Sequence, residues 1–286
     1  MENKSFQQLF GINHKVEVRV NLTNICNLHC DFCDHDAHLP ILNGGLKIYR
    51  KKAIVSSIHE LEKLFDSLKG VGENERHVLQ GGEITVLPVK LVSHVIEIMH
   101  SYGRNVGIRT NGYNLKGIPL ASLNKLKFIY LNDHDNNKDA IEFSQNYLLK
   151  HYNGLIINEK NHFHRDLSKY LNHNEGTTEE GFSCSHLLST LTFFPPLVHP
   201  CCNSWALMNA LNNESVADSL ISAGWSTMNP DLLSTLSNWR TTLPKVFLKV
   251  FCGESCYLTA KTIDSPLQKI SSHMSDKVLK KSRNVL

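Results

Sequence analysis

Hydrophobic and polar positions alternate cleanly over residues 14–23, HKVEVRVNLT, with Val16, Val18, Val20 and Leu22 on one face and Glu17, Arg19 and Asn21 on the other. A period of two predicts a strand packed on one side and polar on the other. Over 51–70 the spacing changes to that of a helix: Ile54, Ile58, Leu61, Phe65 and Leu68 recur along one face, and Gly70 ends it. A short strand follows at 77–80, then a helix over 88–103 that opens on Pro88 and closes on Gly103. The rhythm continues with a strand at 105–110, a short helix at 120–127, a strand at 128–132, a helix at 138–152 and a strand at 154–159. Crossovers of this length require parallel strands, in an α/β sheet or barrel. About five strands by residue ~160 are fewer than a closed barrel needs, so a partial, open barrel is expected.

The pattern breaks over 161–182, a polar stretch rich in His and Asn that predicts a linker or surface excursion. Beyond it come an expected hairpin (188–201) and helices at 203–211 and 231–243.

Composition narrows the class. The chain has 286 residues, 41% apolar and 20% charged, which suits a soluble globular protein with a real core. Net charge is 30 − 27 = +3, too small and too scattered to argue for nucleic acid or a membrane surface. The basic tail KVLKKSRNVL (277–286) predicts a solvated terminus. No segment reaches the ~18 consecutive apolar residues of a membrane span, and the first residues lack the features of a signal peptide. A cytoplasmic location is expected, where thiols stay reduced. Eight cysteines there point to metal ligation or catalysis, not to disulfides.

Three of them, Cys26, Cys30 and Cys33, fall directly after the first strand, where parallel α/β architectures build their active sites. A closed structural zinc site takes four ligands. Three thiolates on an iron–sulfur cubane instead leave one iron open to an exogenous ligand. Competing readings are zinc completed by His29, His35 or His38, and three core cysteines with no ligand role.

In CNLHCDFC, residues 26–33, the spacing C-x-x-x-C-x-φ-C with Phe32 as the aromatic resembles the hallmark of the radical S-adenosylmethionine (SAM) superfamily. The resemblance implies a [4Fe–4S] cluster on Cys26, Cys30 and Cys33. SAM would chelate the open iron, with Phe32 near its adenine. QGGEITVLP (80–88) looks like the superfamily's GGE segment, with Gly81 and Gly82 allowing close backbone approach and Glu83 suited to the methionyl ammonium. RTNGYNL (109–115) resembles its TNG segment, placing Thr110 and Asn111 near SAM. After the fourth strand, Asn132 is the expected ribose-binding residue, with Asp133 and His134 as alternatives. The resemblance covers roughly residues 14–160.

The other five cysteines are Cys184, Cys201, Cys202, Cys252 and Cys256. Four thiolates could hold a second cubane or a structural zinc. FSCSHLLSTLTFFPPLVHPCC followed by CGESC resembles the Twitch domain, the shortened SPASM form, of the 2-deoxy-scyllo-inosamine dehydrogenase branch. That implies an auxiliary [4Fe–4S] cluster on Cys184, Cys201, Cys252 and Cys256, although three residues separate the last pair where the branch has two. Cys202 is left over, either as a small buried residue or as a hydrogen-atom donor. Whether Cys201 or Cys202 ligates stays open.

The expected organisation is a radical SAM partial TIM-like barrel (1–165), a small C-terminal iron–sulfur domain (166–265) and a basic tail (266–286). The expected reaction is hydrogen abstraction followed by oxidation through the auxiliary cluster, supplied by a donor such as flavodoxin or ferredoxin. The substrate is a small molecule, sugar-like or aminocyclitol, or a peptide. Only 13 residues precede the first predicted strand, which leaves no room for a separate N-terminal peptide-recognition domain and tilts the expectation to a small molecule. Glu17, Arg19 and Asn21 either line the substrate cavity or form buried salt links. Arg165, beside His162 and His164, is a candidate for reaching the substrate. A redox-neutral epimerase using Cys202 is the runner-up, and a zinc-stabilised binding module without catalysis is the alternative from another class.

Overall fold

A computed structural model describes residues 4–13, 15–28, 55–103, 105–134, 137–160, 187, 189–201, 204–205 and 214–250. Among them a single seven-stranded sheet forms, in the order β5-β4-β3-β2-β1-β6-β7. Its strands are β1 (Glu17–Asn21), β2 (Arg76–Gln80), β3 (Val106–Thr110), β4 (Phe128–Asp133), β5 (Leu155–Lys160), β6 (Thr190–Phe194) and β7 (Leu197–His199). β1 to β5 pair in parallel succession, β6 pairs parallel with the free side of β1, and β7 turns back antiparallel on β6. The mostly parallel α/β sheet expected from the alternation is thus present.

The first helices are α1 (Phe6–Phe10), α2 (Ile58–Ser67), α3 (Val89–Tyr102), α4 (Leu120–Leu123) and α5 (Lys138–His151). α2 starts seven residues later than the apolar spacing predicts. Ser57 and Glu60 close a reciprocal capping box there, which fixes the start of the helix. Val55, inside the predicted helix, instead bridges to Thr23. The later helices are α6 (Glu214–Ser222), α7 (Leu232–Ser237), α8 (Trp239–Thr242) and α9 (Lys245–Phe247). The helix predicted over 231–243 is therefore broken at Asn238, where the backbone leaves helical geometry. α6 carries no counterpart in the sequence reading.

Alternation decides the two faces. Val18 and Val20 of β1, Leu79 of β2, Ile108 of β3 and Ile129 and Leu131 of β4 join the main core under the helices. Each such aliphatic burial stabilises by roughly 1.5–3 kcal/mol. The opposite face carries a small cluster of Val78, Phe128 and Tyr130, together with the charged side chains of β1, β2 and β3.

The expected hairpin does form, as β6 and β7, but it extends the core sheet. Leu191, Phe193, Val216, Trp225, Leu232 and Trp239 belong to the same core cluster as β1. Among the described residues, one hydrophobic cluster thus runs across position 165. The sequence pattern could not show this, because period-two alternation says which face is buried and not which strand is the neighbour.

Candidate functional site

Registry sets Asn21 beside Gln80, and Thr110 beside Leu131, so the C-terminal ends of β1 to β4 lie along one rim of the sheet. The cysteine loop leaves this rim. Ser56 ties it down by donating its backbone N–H to the Leu22 carbonyl and its hydroxyl to the Asn21 carbonyl. Thr23 Oγ1 accepts the Ile25 N–H at 3.0 Å. Cys26 then stands half-buried, its Sγ accepting the Leu28 N–H at 3.3 Å with Asn111 Nδ2 at 4.0 Å. Sγ also lies 3.9 Å from Asn27 Oδ1, so the sulfur is set among polar groups at the end of the sheet.

Gly81 and Gly82 serve this loop. Gly82 donates to the Thr23 carbonyl at 2.6 Å, and Glu83 donates to the Ile25 carbonyl at 2.7 Å. A Cβ on Gly81 would lie 2.3 Å from the Thr23 oxygen, and one on Gly82 would lie 2.1 Å from the Ile25 oxygen. Gly81 also holds φ at +144°, which side chains other than hydrogen rarely adopt. Close approach was expected toward a ligand; these contacts are with the backbone of the cysteine loop.

Glu83 is buried, and both oxygens of its carboxylate accept hydrogen bonds. Oε1 accepts from Thr85 N (3.0 Å), Thr85 Oγ1 (2.7 Å) and Thr110 Oγ1 (2.7 Å), while Oε2 accepts from Asn111 N at 2.6 Å. Burial pushes its carboxyl above the ordinary carboxylate range, and these hydrogen bonds pull the other way. Glu83 therefore clips the β2 and β3 loops together.

Asn111 is fixed by the same clip. Its Nδ2 donates to Asn27 Oδ1 at 2.9 Å, and its Oδ1 accepts the Tyr113 N–H at 3.0 Å. Asn137, at the start of α5, donates from Nδ2 to the carbonyls of Asn111 (2.7 Å) and Asn132 (2.9 Å), and Ser144 Oγ donates to the Gly112 carbonyl. These bonds carry the arrangement from β3 to β4. Asn132 Oδ1 is buried with no hydrogen-bond partner among the described residues, leaving an acceptor at the end of β4. Beside Cys26 opens a cavity of about 340 Å³ lined by Asn27, Leu28, Asn111, Tyr113, Asn137 and the first turn of α5.

The structure thus brings Cys26, Gly81, Gly82, Glu83, Thr110 and Asn111 together, with Asn132 one strand further along. Cys201 lies past β7 on the other side of β1, half-buried, its carbonyl accepting Ser204 Oγ at 2.8 Å. Cys30, Phe32, Cys33, Arg165, Cys184, Cys202, Cys252 and Cys256 lie outside the described residues, as do the zinc alternatives His29, His35 and His38. Asn27, Thr85 and Asn137 were missed. Asn137 sits in a polar run before a helix, where Asn ordinarily only starts the turn. Glu17 and Arg19 do form a salt link, Arg19 Nε to Glu17 Oε1 at 2.7 Å. No helix among the described residues is long and apolar enough to cross a membrane.

Residues 20–133 match the family model of the radical SAM superfamily, a span of less than half of the chain. No curated protein matches the chain. Among solved structures, native anSMEcpe with bound AdoMet is similar at 14% identity and a TM-score of 0.36, over 52% of this chain and 55% of that one. The chain thus spans little more than half of that protein. Streptococcus suis SuiB bound to precursor peptide SuiA is similar at 13% identity and a TM-score of 0.41, over 89% and 74% of the two chains. The same protein bound to S-adenosylmethionine gives 12% identity and 0.40, over 88% and 73%. Scores this low carry nothing about substrate.

Proposed function

We propose that the chain is a radical SAM enzyme that abstracts a hydrogen atom from its substrate and oxidises the resulting radical. The observation that carries this reading is Cys26, set at the end of β1 with N–H donors on its sulfur and a cavity beside it. This donor set fits a thiolate-ligated cluster. Cys26, Cys30 and Cys33 would hold the cluster. Cluster and SAM, when bound, supply reductive cleavage of the sulfonium to a 5′-deoxyadenosyl radical.

The chain's own residues orient and shield. Gly81 and Gly82 let the β2 loop press on the cysteine loop, Glu83 locks Thr110 and the Asn111 backbone in place, and Asn137 extends the lock to β4. Asn132 Oδ1, free of partners among the described residues, suits a ribose hydroxyl. Glu83 holds the β2 and β3 loops together, and its Oε2, which accepts only the Asn111 N–H among the described residues, would also serve the methionyl ammonium. Cys184, Cys201, Cys252 and Cys256 would hold the auxiliary cluster, an electron acceptor for oxidation. Cys202 and Arg165 remain candidates for contact with a sugar-like, aminocyclitol or peptide substrate. Flavodoxin or ferredoxin would supply the electron.

Anaerobic purification with metal analysis tests the reading. About eight irons per chain are expected with both clusters, and about four with one. Addition of SAM should change the cluster spectrum, and added reductant should yield 5′-deoxyadenosine. Zinc without iron overturns the proposal. Cys202→Ala separates oxidation, which keeps turnover, from epimerisation, which stalls.

A further inference from the structure

The face of the sheet turned away from the helices carries three arginines, Arg19, Arg76 and Arg109. Two are committed to partners. Arg19 pairs with Glu17, while Arg109 donates from Nη1 to Gln80 Oε1 at 2.6 Å and holds Nε 3.2 Å from Glu159. Arg109 also lies over the Tyr130 ring, at 4.7 Å, whereas among the described residues Arg76 is held by rings alone. Its guanidinium lies 4.4 Å from the ring centre of Phe128 and 5.2 Å from that of Tyr130. Among the described residues it makes no ion pair, although Glu17 is its register partner on β1. Among the described residues, three guanidiniums against the two carboxylates of Glu17 and Glu159 leave this face with one positive charge, and Arg76 is where it sits.

A guanidinium spread over aromatic rings is fixed in orientation but keeps the N–H donors of its edge available. A carboxylate matches that planar fork with two parallel bonds. Arg76 starts β2, and its guanidinium reaches toward Tyr130, nearer the rim that holds Cys26. Strand rise puts roughly 10 Å between the guanidinium and that rim. We propose that Arg76 anchors a carboxylate of the substrate, so that the enzyme acts on a small acid bound by its charged end, with the reacting C–H about that distance away. The proposal rests on the radical SAM reading and adds the substrate class to it.

Binding of glutarate and D-glucuronate, each against its neutral amide, is measured by calorimetry on the reconstituted protein saturated with SAM. At least one acid should bind tenfold or more tightly than its amide. Arg76→Gln should abolish that preference and Arg76→Lys should keep part of it. Arg76→Met, which retains an apolar stem over the two rings, should behave as Arg76→Gln with an unchanged melting midpoint. An equal affinity of the wild type for acids and amides overturns the proposal. So does an acid preference that survives in Arg76→Met, or inorganic phosphate competing as well as the acids. The cluster spectrum recorded in the same samples separates the two readings: its absence sinks the radical chemistry and leaves the Arg76 measurement standing.

Discussion

At the scale of single residues, the site rests on contacts that tolerate almost no added volume. A Cβ at position 82 would approach backbone atoms of Ile25 and Asn24, which cannot swing aside as a side chain could. Gly82→Ala is therefore expected to cost about 2 kcal/mol or more in chemical denaturation. It should also lower iron content after reconstitution, because the displaced loop carries Cys26. Glu83→Gln tests the carboxylate clip by chemistry and not by size. Each carboxylate oxygen accepts a backbone N–H, Oε1 from Thr85 and Oε2 from Asn111, so in either orientation the amide nitrogen of glutamine would face a group that can only donate. A loss of about 2 kcal/mol is expected, the cost of buried donors left unmatched. Unchanged stability would mean that Glu83 serves the ligand alone.

Among elements, β2 contains a titrating probe. His77 projects to the helix side, fully buried, with its ring edge-on to Tyr102 and neither ring nitrogen hydrogen-bonded among the described residues. Burial lowers its pKa from 6.5 to about 4. The folded state then holds fewer protons than the unfolded state as pH falls below 6.5, so stability is present at neutral pH and lost on acidification. Between pH 7 and pH 5 this group alone should remove about 2 kcal/mol. His77→Phe, which keeps the ring contact, should flatten the denaturation profile in that window by the same amount. The residue also marks the limit of legibility at this scale. Periodicity found β1 because it alternates, whereas β2 to β4, buried on both faces, were found as short runs between helices. It placed the start of α2 too early because Ile54 continues the helical spacing, while the capping box at Ser57 and Glu60 decides the boundary. The rim residues Cys26, Glu83, Thr110 and Asn111 were legible as motifs. That Glu83 accepts from Thr85, Thr110 and Asn111 was not, since a sequence does not say which donors will surround a carboxylate.

For the whole molecule, the decisive relation is between β1 and β6, which are separated by some 170 residues of chain and paired in parallel register from Glu17 with Thr190 to Val20 with Phe193. A division at residue 165 would leave the barrel strands self-sufficient. The observed sheet gives a different expectation. Without residues beyond 165, β1 loses its partner on one side, exposing unpaired N–H and C=O groups at a new edge. The core cluster also loses Phe193, Val216, Trp225, Leu232 and Trp239, and Phe10 of α1 loses the Trp239 ring at 6.0 Å. Burying side chains of this size contributes roughly 1.5–3 kcal/mol each, so their combined loss is as large as the ~5–15 kcal/mol net stability of a typical domain. A fragment of residues 1–165 should therefore bind a hydrophobic dye and lack a cooperative unfolding transition, whereas a chain ending at residue 250 should retain one. A cooperative transition in the short fragment, at the midpoint of the longer one, would show instead that β6 and the helices after it are an appendage to the barrel strands.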